Sequence, residues 1–236
     1  MTDSAEGGMG TGHIGGAPPT GLLARILPPQ VLAEECFDDP PGTVLFPEEE
    51  ERIARAVDKR RREFTTVRRC ARLALTRLGV TPGPLVPGER GAPSWPEGVV
   101  GSMTHCQGYR AAAVASAARV LTVGIDAEPA LALPDGVLDS VSSPEERKHL
   151  AECAGATQDQ IPWDRLLFSA KESVYKAWFP LTRRWLGFED AEIEFTPADG
   201  TFHARLLVAD KPLTGFAGRW TVANGIALTA ITVTQD

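Results

Sequence analysis

Twice along the chain, a helix-period segment is followed by a set of strand-period runs, and this order limits the fold more than any other feature. In the first block Phe64, Val67, Ala71, Leu75 and Leu78 recur at steps of three and four residues. They read as one helix over residues 58–78, ended by Gly79. The runs VVGSMT, YRAAAVAS and VLTVGIDAE follow it. In the second block, helices are expected over residues 144–153 and 162–179, and then the strands AEIEF, FHARLLV, GRWTVA and IALTAITV. Asn224-Gly225 between the last two is a two-residue hairpin signal. The pattern predicts an α+β (α/β) fold and permits two related halves. The length, 236 residues, suits one large domain or two compact halves.

The remaining segments are read as follows. Residues 1–20, rich in Gly, Ser, Thr and Pro, form an expected disordered tail. The halves are then expected at 21–125 and 126–236. Pro28-Pro29 is taken to open a short helix, PPQVLAEE, and Pro47 with four glutamates starts another. TPGPLVPGERGAPSWPEG is a long loop of the kind that often carries function. No apolar run approaches the ~20 residues of a membrane span, and the N-terminus lacks the pattern of a secretory signal. Cys36, Cys70, Cys106 and Cys153 lie far apart, which suits a reducing cytoplasm better than a disulfide or zinc scaffold.

Charge is uneven. Residues 52–77 hold ten Lys/Arg and two acids, whereas the remainder holds 14 basic and 29 acidic residues. A basic helix in an acidic protein suits a compact polyanion or is simply a solvated face. The acidic remainder argues against a nucleic-acid-binding domain.

Two segments carry chemistry. In VLTVGIDAEP, alternation sends Leu121, Val123 and Ile125 into a core and puts Gly124, Asp126 and Glu128 on the other face. Two like charges there repel unless a cation or proton intervenes, so the strand end is either solvated or a site for a hard divalent metal. In PWDRLLFSAKESVYKAWFP, Leu167, Ala170, Val174 and Ala177 form an apolar stripe, with Glu172 and Lys176 opposite it. That spacing alone suits a surface ion pair. Phe168, Tyr175 and Phe179 share the same side, however, so the helix is expected to be sandwiched between two surfaces. His105, in GSMTHCQG at a strand end, could face an anion.

In this order, the basic helix with KRRREF and Arg68, then SMTHC, then VGIDAE, then FSAKESVYKAW resemble the larger, approximately doubled branch of the 4′-phosphopantetheinyl transferases. The neighbouring PLTRRWLGFEDAEI is similar to actinobacterial members serving polyketide, nonribosomal peptide and mycolate-type pathways. The resemblance runs from about residue 21 to the end. It implies a fold of two pseudo-symmetric α/β halves with the active site between them. It also implies an enzyme that moves the 4′-phosphopantetheine arm of coenzyme A onto a serine of an apo acyl or peptidyl carrier protein, releasing adenosine 3′,5′-bisphosphate.

Site residues follow from the resemblance, motif by motif. Asp126, Glu128 and Glu172, with at most the carbonyl of Ala127, would hold Mg²⁺ (or Mn²⁺) against the pyrophosphate. Glu172 would be the base for the carrier serine, and Lys176 would sit beside the phosphates; Lys171 ranks lower. Arg60, Arg68, Thr104 and His105 would contact the 3′-phosphate and adenine. Arg61, almost in register with Arg68, stays open. The loop PGER lacks the lysine of some relatives, so Gly88 and Arg90 would substitute, and Leu186 would line the pantetheine channel. A cytoplasmic monomer is expected. A phosphohydrolase or a coenzyme A-binding module are the competing readings, and the full acid–lysine set argues against the latter.

Overall fold

The structure, a computed structural model, describes residues 21–157 and 160–235. The expected tail at 1–20 lies outside the described residues. The chain forms β1 (Leu32–Cys36), α1 (Pro47–Ile53), α2 (Asp58–Arg77), β2 (Val99–Cys106), β3 (Tyr109–Ser116) and β4 (Val120–Pro129). It continues through α3 (Val137–Val141), α4 (Pro144–Ala156), α5 (Trp163–Thr182), β5 (Ala191–Thr196), β6 (Thr201–Leu206), β7 (Gly215–Ala223) and β8 (Ile226–Thr234).

The fold is mixed α+β, with two antiparallel sheets of order β1-β3-β2 and β4-β8-β7-β6-β5. A 20-residue helix lies on each: α2 on β1 and β3, α5 on β4 and β8. The chain passes between sheets at residues 117–119. The apolar stripe of α2 does what its period dictates, burying Cys70, Ala71, Ala74 and Leu75 against Ala112 and Val114 of β3. On α5, burial extends over Leu167, Ala170, Lys171, Val174, Trp178 and Phe179, so this helix is covered on more than one face, as expected.

The two sheets meet edge to edge without a shared ladder. Ser102 Oγ accepts from the Ile125 N–H (3.1 Å) and Thr104 Oγ1 from the Ala127 N–H (3.0 Å). Two hydroxyls of β2 thus satisfy the free edge of β4, whose amides would otherwise be buried without partners. At the far end, Asn224 (φ 52°) and Gly225 (φ 74°) close the β7–β8 hairpin, the left-handed pair its two-residue turn requires.

Two expectations are corrected. PPQVLAEE does not form a helix: its second half is β1, paired to β3 from Leu32↔Val114 to Cys36↔Arg110. The competing partners are distant in sequence. Glu35 accepts from the Leu22 and Leu23 N–H groups (2.7 and 3.0 Å) and from the Tyr109 hydroxyl (2.7 Å). Leu121 does not point into the core with Val123 and Ile125. A bulge between Val120 and Thr122 leaves it outside the ladder and turned outward, while Val120 takes the core position.

Candidate active site

A cleft of about 750 Å³ opens where α2, the loop before β2, β2, the start of β4 and α5 converge. Its shape depends on one glycine. A Cβ at Gly124 would collide with the Ser173 carbonyl and lie 2.8 Å from the Ala177 nitrogen, so only glycine lets α5 lie directly on β4. Thr122 Oγ1 donates to the Ala177 carbonyl at 2.8 Å along the same seam. This approach brings Lys176 to Asp126.

Asp126 is buried. Lys176 Nζ donates to Asp126 Oδ1 (2.7 Å) and to the Ile125 carbonyl (3.1 Å), and Thr104 Oγ1 reaches Asp126 Oδ1 at 3.3 Å. Asp126 Oδ2 is buried with no partner. Such an atom is costly unless something cationic or hydrogen-bonding completes it. Glu172, one turn before Lys176, lines the cleft and makes no hydrogen bond among the described residues. Burial raises its carboxyl above the usual range, and the Asp126 charge adds to the shift. Burial and Asp126 raise Glu128 in the same way, against the opposing pull of Arg165, whose Nη1 donates to Glu128 Oε2 at 3.0 Å. The surface-pair alternative for Glu172 and Lys176 is therefore not what forms, because Lys176 pairs across to β4.

Arg60 and His105 form a second cluster in the cleft. Arg60 Nη1 lies 2.7 Å from His105 Nε2. A guanidinium has only donors, so Nε2 accepts and the ring is neutral, with its proton on Nδ1. Nδ1 faces Glu63 Oε2 at 3.7 Å. Burial lowers the His105 pKa, which fits a neutral ring.

Other expected residues are placed differently. Arg68 lines the cleft, but its guanidinium is committed: Nε and Nη2 donate to the Leu85 carbonyl (3.1 and 2.8 Å) and Nη1 to that of Phe64 (3.3 Å). With the buried Glu49, which accepts from the Leu85 N–H, it anchors the start of the cleft loop. Burial lowers its pKa to about 10. Thr104 is buried and holds Asp126 rather than facing the cleft. Gly88 and Arg90 line it, Arg90 with a left-handed backbone (φ 53°) and its guanidinium 5.1 Å from the Trp185 ring. Leu186 is buried in the α5 core; the exposed neighbour Trp185 packs on Tyr175 instead. The Ala127 side chain is in the core. Lys171 is turned away, ion-paired with buried Glu146 at 2.8 Å. Arg61 pairs with Glu50, Arg72 with buried Glu49 and Arg77 with Glu34, so part of the basic run is spent on ion pairs away from the cleft. The sequence reading did not identify Glu63, Arg110 or Arg165. A buried acid is visible only once the elements around it are packed.

Among the described residues, no three His, Cys, Asp or Glu side chains group closely enough to hold a metal ion by themselves. No helix is long and apolar enough to cross a membrane.

Comparison with known proteins identifies the family. Residues 48–115 match the 4′-phosphopantetheinyl transferase N-terminal domain and residues 122–228 the 4′-phosphopantetheinyl transferase superfamily. The chain is 57% identical to the 4′-phosphopantetheinyl transferase Svp of Streptomyces mobaraensis, over 90% of this chain and 89% of that protein. It is 51% identical to the 4′-phosphopantetheinyl transferase PptT of Mycobacterium tuberculosis, over 89% of this chain and 97% of that protein. Enterobactin synthase component D of Escherichia coli is 36% identical over 50% of this chain and 55% of its own. With both family models matched in order and relatives this similar along most of its length, the chain belongs to the 4′-phosphopantetheinyl transferase family of enzymes.

Proposed function

We propose that the cleft binds coenzyme A and that Asp126, Glu172 and Lys176 promote transfer of its 4′-phosphopantetheine group to a serine of apo acyl and peptidyl carrier proteins, releasing adenosine 3′,5′-bisphosphate. One observation carries this reading. Glu172 and Lys176, the latter bonded to the buried Asp126, line the same cleft of about 750 Å³ as the Arg60–His105 pair, which supports a reacting diphosphate at the first group and a separate phosphate at the second.

Each residue then has a task. Glu172, uncommitted and raised by burial, takes the proton of the carrier serine as its oxygen attacks the β-phosphorus. Lys176, held over the cleft by Asp126 and the Ile125 carbonyl, offsets the charge that develops on the oxygen leaving with the nucleotide. Arg60 and His105 hold the 3′-phosphate, and Gly88 and Arg90 flank the nucleotide. Arg68 and Thr104 act through the loop and through Asp126.

The donor set fits Mg²⁺, with Mn²⁺ as an alternative. Asp126 Oδ2 is an unmet buried anionic oxygen, and the mutual repulsion of Asp126 with Glu128 and Glu172 leaves surplus negative charge. Hard cations of this kind complete their shell with substrate phosphate oxygens, so a few protein carboxylates suffice. Asp126 would hold the ion with Glu128 behind it, while Glu172 stays free as the base because direct ligation would lower its pKa; a bound ion would supply charge stabilisation at the diphosphate.

In this reading the halves at 21–125 and 126–236 act as one catalytic unit, a monomer in the cytoplasm. Intact mass spectrometry of an apo carrier protein incubated with enzyme, coenzyme A and Mg²⁺ tests it. A gain of one phosphopantetheine on serine is expected. Hydrolysis of coenzyme A with no mass gain on any carrier, or binding without turnover, would replace the transferase reading by a hydrolase or a binding module.

A further inference from the structure

Behind His105 lies a buried charge network that the transfer reaction does not itself require. Glu63 of α2 is 7% exposed, yet its carboxylate makes no hydrogen bond among the described residues. Its contacts are looser ion pairs: Oε2 to His105 Nδ1 at 3.7 Å and Oε1 to Arg110 Nη2 at 3.8 Å. Arg110, also buried, is fixed independently. It donates from Nε and Nη2 to Asp39 (3.2 and 3.0 Å) and from Nη1 to the Cys106 and Tyr109 carbonyls (2.5 and 3.1 Å). Asp39 accepts from Thr66 Oγ1 as well (2.7 Å). Glu63 is thus a buried anion held in place but incompletely paired, and it points at the ring nitrogen on the far side of the imidazole from the cleft.

We propose that Glu63 is a positioning residue that lets His105 take up a proton when the 3′-phosphate of coenzyme A binds. Without ligand, Arg60 donates to Nε2 and the ring has no reason to be charged. A phosphate entering between Arg60 and His105 draws the guanidinium to itself, since an anion is a stronger acceptor than an imidazole. Nε2 is then released, takes one proton from solvent and donates it as a hydrogen bond to the phosphate. The imidazolium forms between two anions, phosphate at Nε2 and Glu63 at Nδ1. The charges facing His105 are Arg60 and Glu63 from α2, Arg110 from β3 and Lys176 from α5, with Asp39 behind Arg110. Three of the four facing groups are cations that oppose protonation. Glu63 is the one that favours it, so removing Glu63 leaves the ring neutral even beside phosphate.

This inference rests on the coenzyme A reading above, and calorimetry of the full chain without Mg²⁺ separates the two. Coenzyme A and 3′-dephospho-coenzyme A are titrated into wild type, Glu63→Gln and His105→Asn at pH 7.5, each in two buffers of different ionisation enthalpy. Wild type is expected to take up a proton on binding coenzyme A and none on binding the dephospho form. Both variants are expected to lose that uptake. Wild-type affinity for coenzyme A should fall towards tenfold per pH unit as pH rises between the ring pKa of the free protein and that of the complex. The fall should be absent in His105→Asn. If wild type binds coenzyme A with no buffer-dependent enthalpy, or if Glu63→Gln weakens both ligands equally, Glu63 is only a packing residue and the inference is overturned. If Glu63→Gln does not fold, the comparison of wild type with His105→Asn decides, because uptake that persists without His105 overturns the inference too. Failure of wild type to bind either ligand would instead remove the coenzyme A reading on which it stands.

Discussion

Adding one methyl group at Gly124 should damage catalysis and stability together, because this glycine sets the distance between β4 and α5. A Cβ there would collide with the Ser173 carbonyl and lie 2.8 Å from the Ala177 nitrogen and 3.0 Å from its Cβ, and real Cβ atoms essentially never come within 3.0 Å. The obstruction is helix backbone, so no side chain can rotate away. Helix α5 must therefore retreat by the better part of an ångström. That retreat stretches the Lys176–Asp126 bond from 2.7 Å and the Thr122–Ala177 bond from 2.8 Å. Overpacking of this kind costs roughly 1–3 kcal/mol, equivalent to a drop of about 2–12 °C in Tm for a chain of this size. Misplacing catalytic groups by such a distance can cost ~10²-fold in rate. The assay pairs a thermal melt of Gly124→Ala with single-turnover transfer to an apo carrier. A variant that melts lower but transfers at the wild-type rate would show that Gly124 serves packing alone. One that matches wild type in both would refute the reasoning.

Further expectations concern the two clusters. Asp126→Ala should abolish turnover while far-ultraviolet circular dichroism stays native; near-normal transfer at saturating Mg²⁺ would remove the acid cluster from the chemistry. Glu172→Gln should lower kcat by ~10²-fold, the usual scale for losing a general base, with little change in coenzyme A affinity measured without Mg²⁺. Because the Glu172 pKa is raised by burial, its basic form is lost as pH falls through a value above the ordinary carboxylate range. In the metal-free protein, a carboxyl titration that disappears in Glu172→Gln should lie there, and one at about 4.3 or below would contradict the burial argument. The raised pKa also means the ionised side chain is disfavoured in the fold at neutral pH, so Glu172→Gln should melt no lower than wild type at pH 7.5. Lys176→Ala should depress kcat more than it raises KM, since its charge matters most as the leaving phosphate develops its own. Arg60→Ala and Arg68→Ala should part company. The first, on an exposed residue, raises KM for coenzyme A with an unchanged melt. The second leaves the Leu85 carbonyl without its donors and takes from buried Glu49 one of its two cations, Arg72 remaining, so it should lower the melt by the ~1–3 kcal/mol of an unmet buried acceptor.

Local patterning was enough to locate α2, α5 and all the strands from β2 onward: α2 and β5 bury one side and write that into their own side chains, whereas α5 and β3, covered on more than one face, show as strongly apolar segments. The GIDAE and KESVYKAW motifs carried the family, and hence Asp126, Glu172 and Lys176. Whatever depends on a partner far along the chain stayed hidden. β1 was misread because its ladder partner, β3, begins more than seventy residues after Leu32, and Glu35 was drawn to amides and a hydroxyl no local pattern mentions. Leu121 was misplaced because a bulge breaks alternation without leaving any mark in composition. Arginine at position 68 matches a phosphate-binding motif, and only packing decides that its donors go to the Leu85 carbonyl instead. Likewise, that Lys176 bonds Asp126 and not Glu172 follows from how closely Gly124 lets α5 approach. Local patterns determine what each segment is; which charges meet is set by distances between segments, and these exist only after the chain has closed on itself.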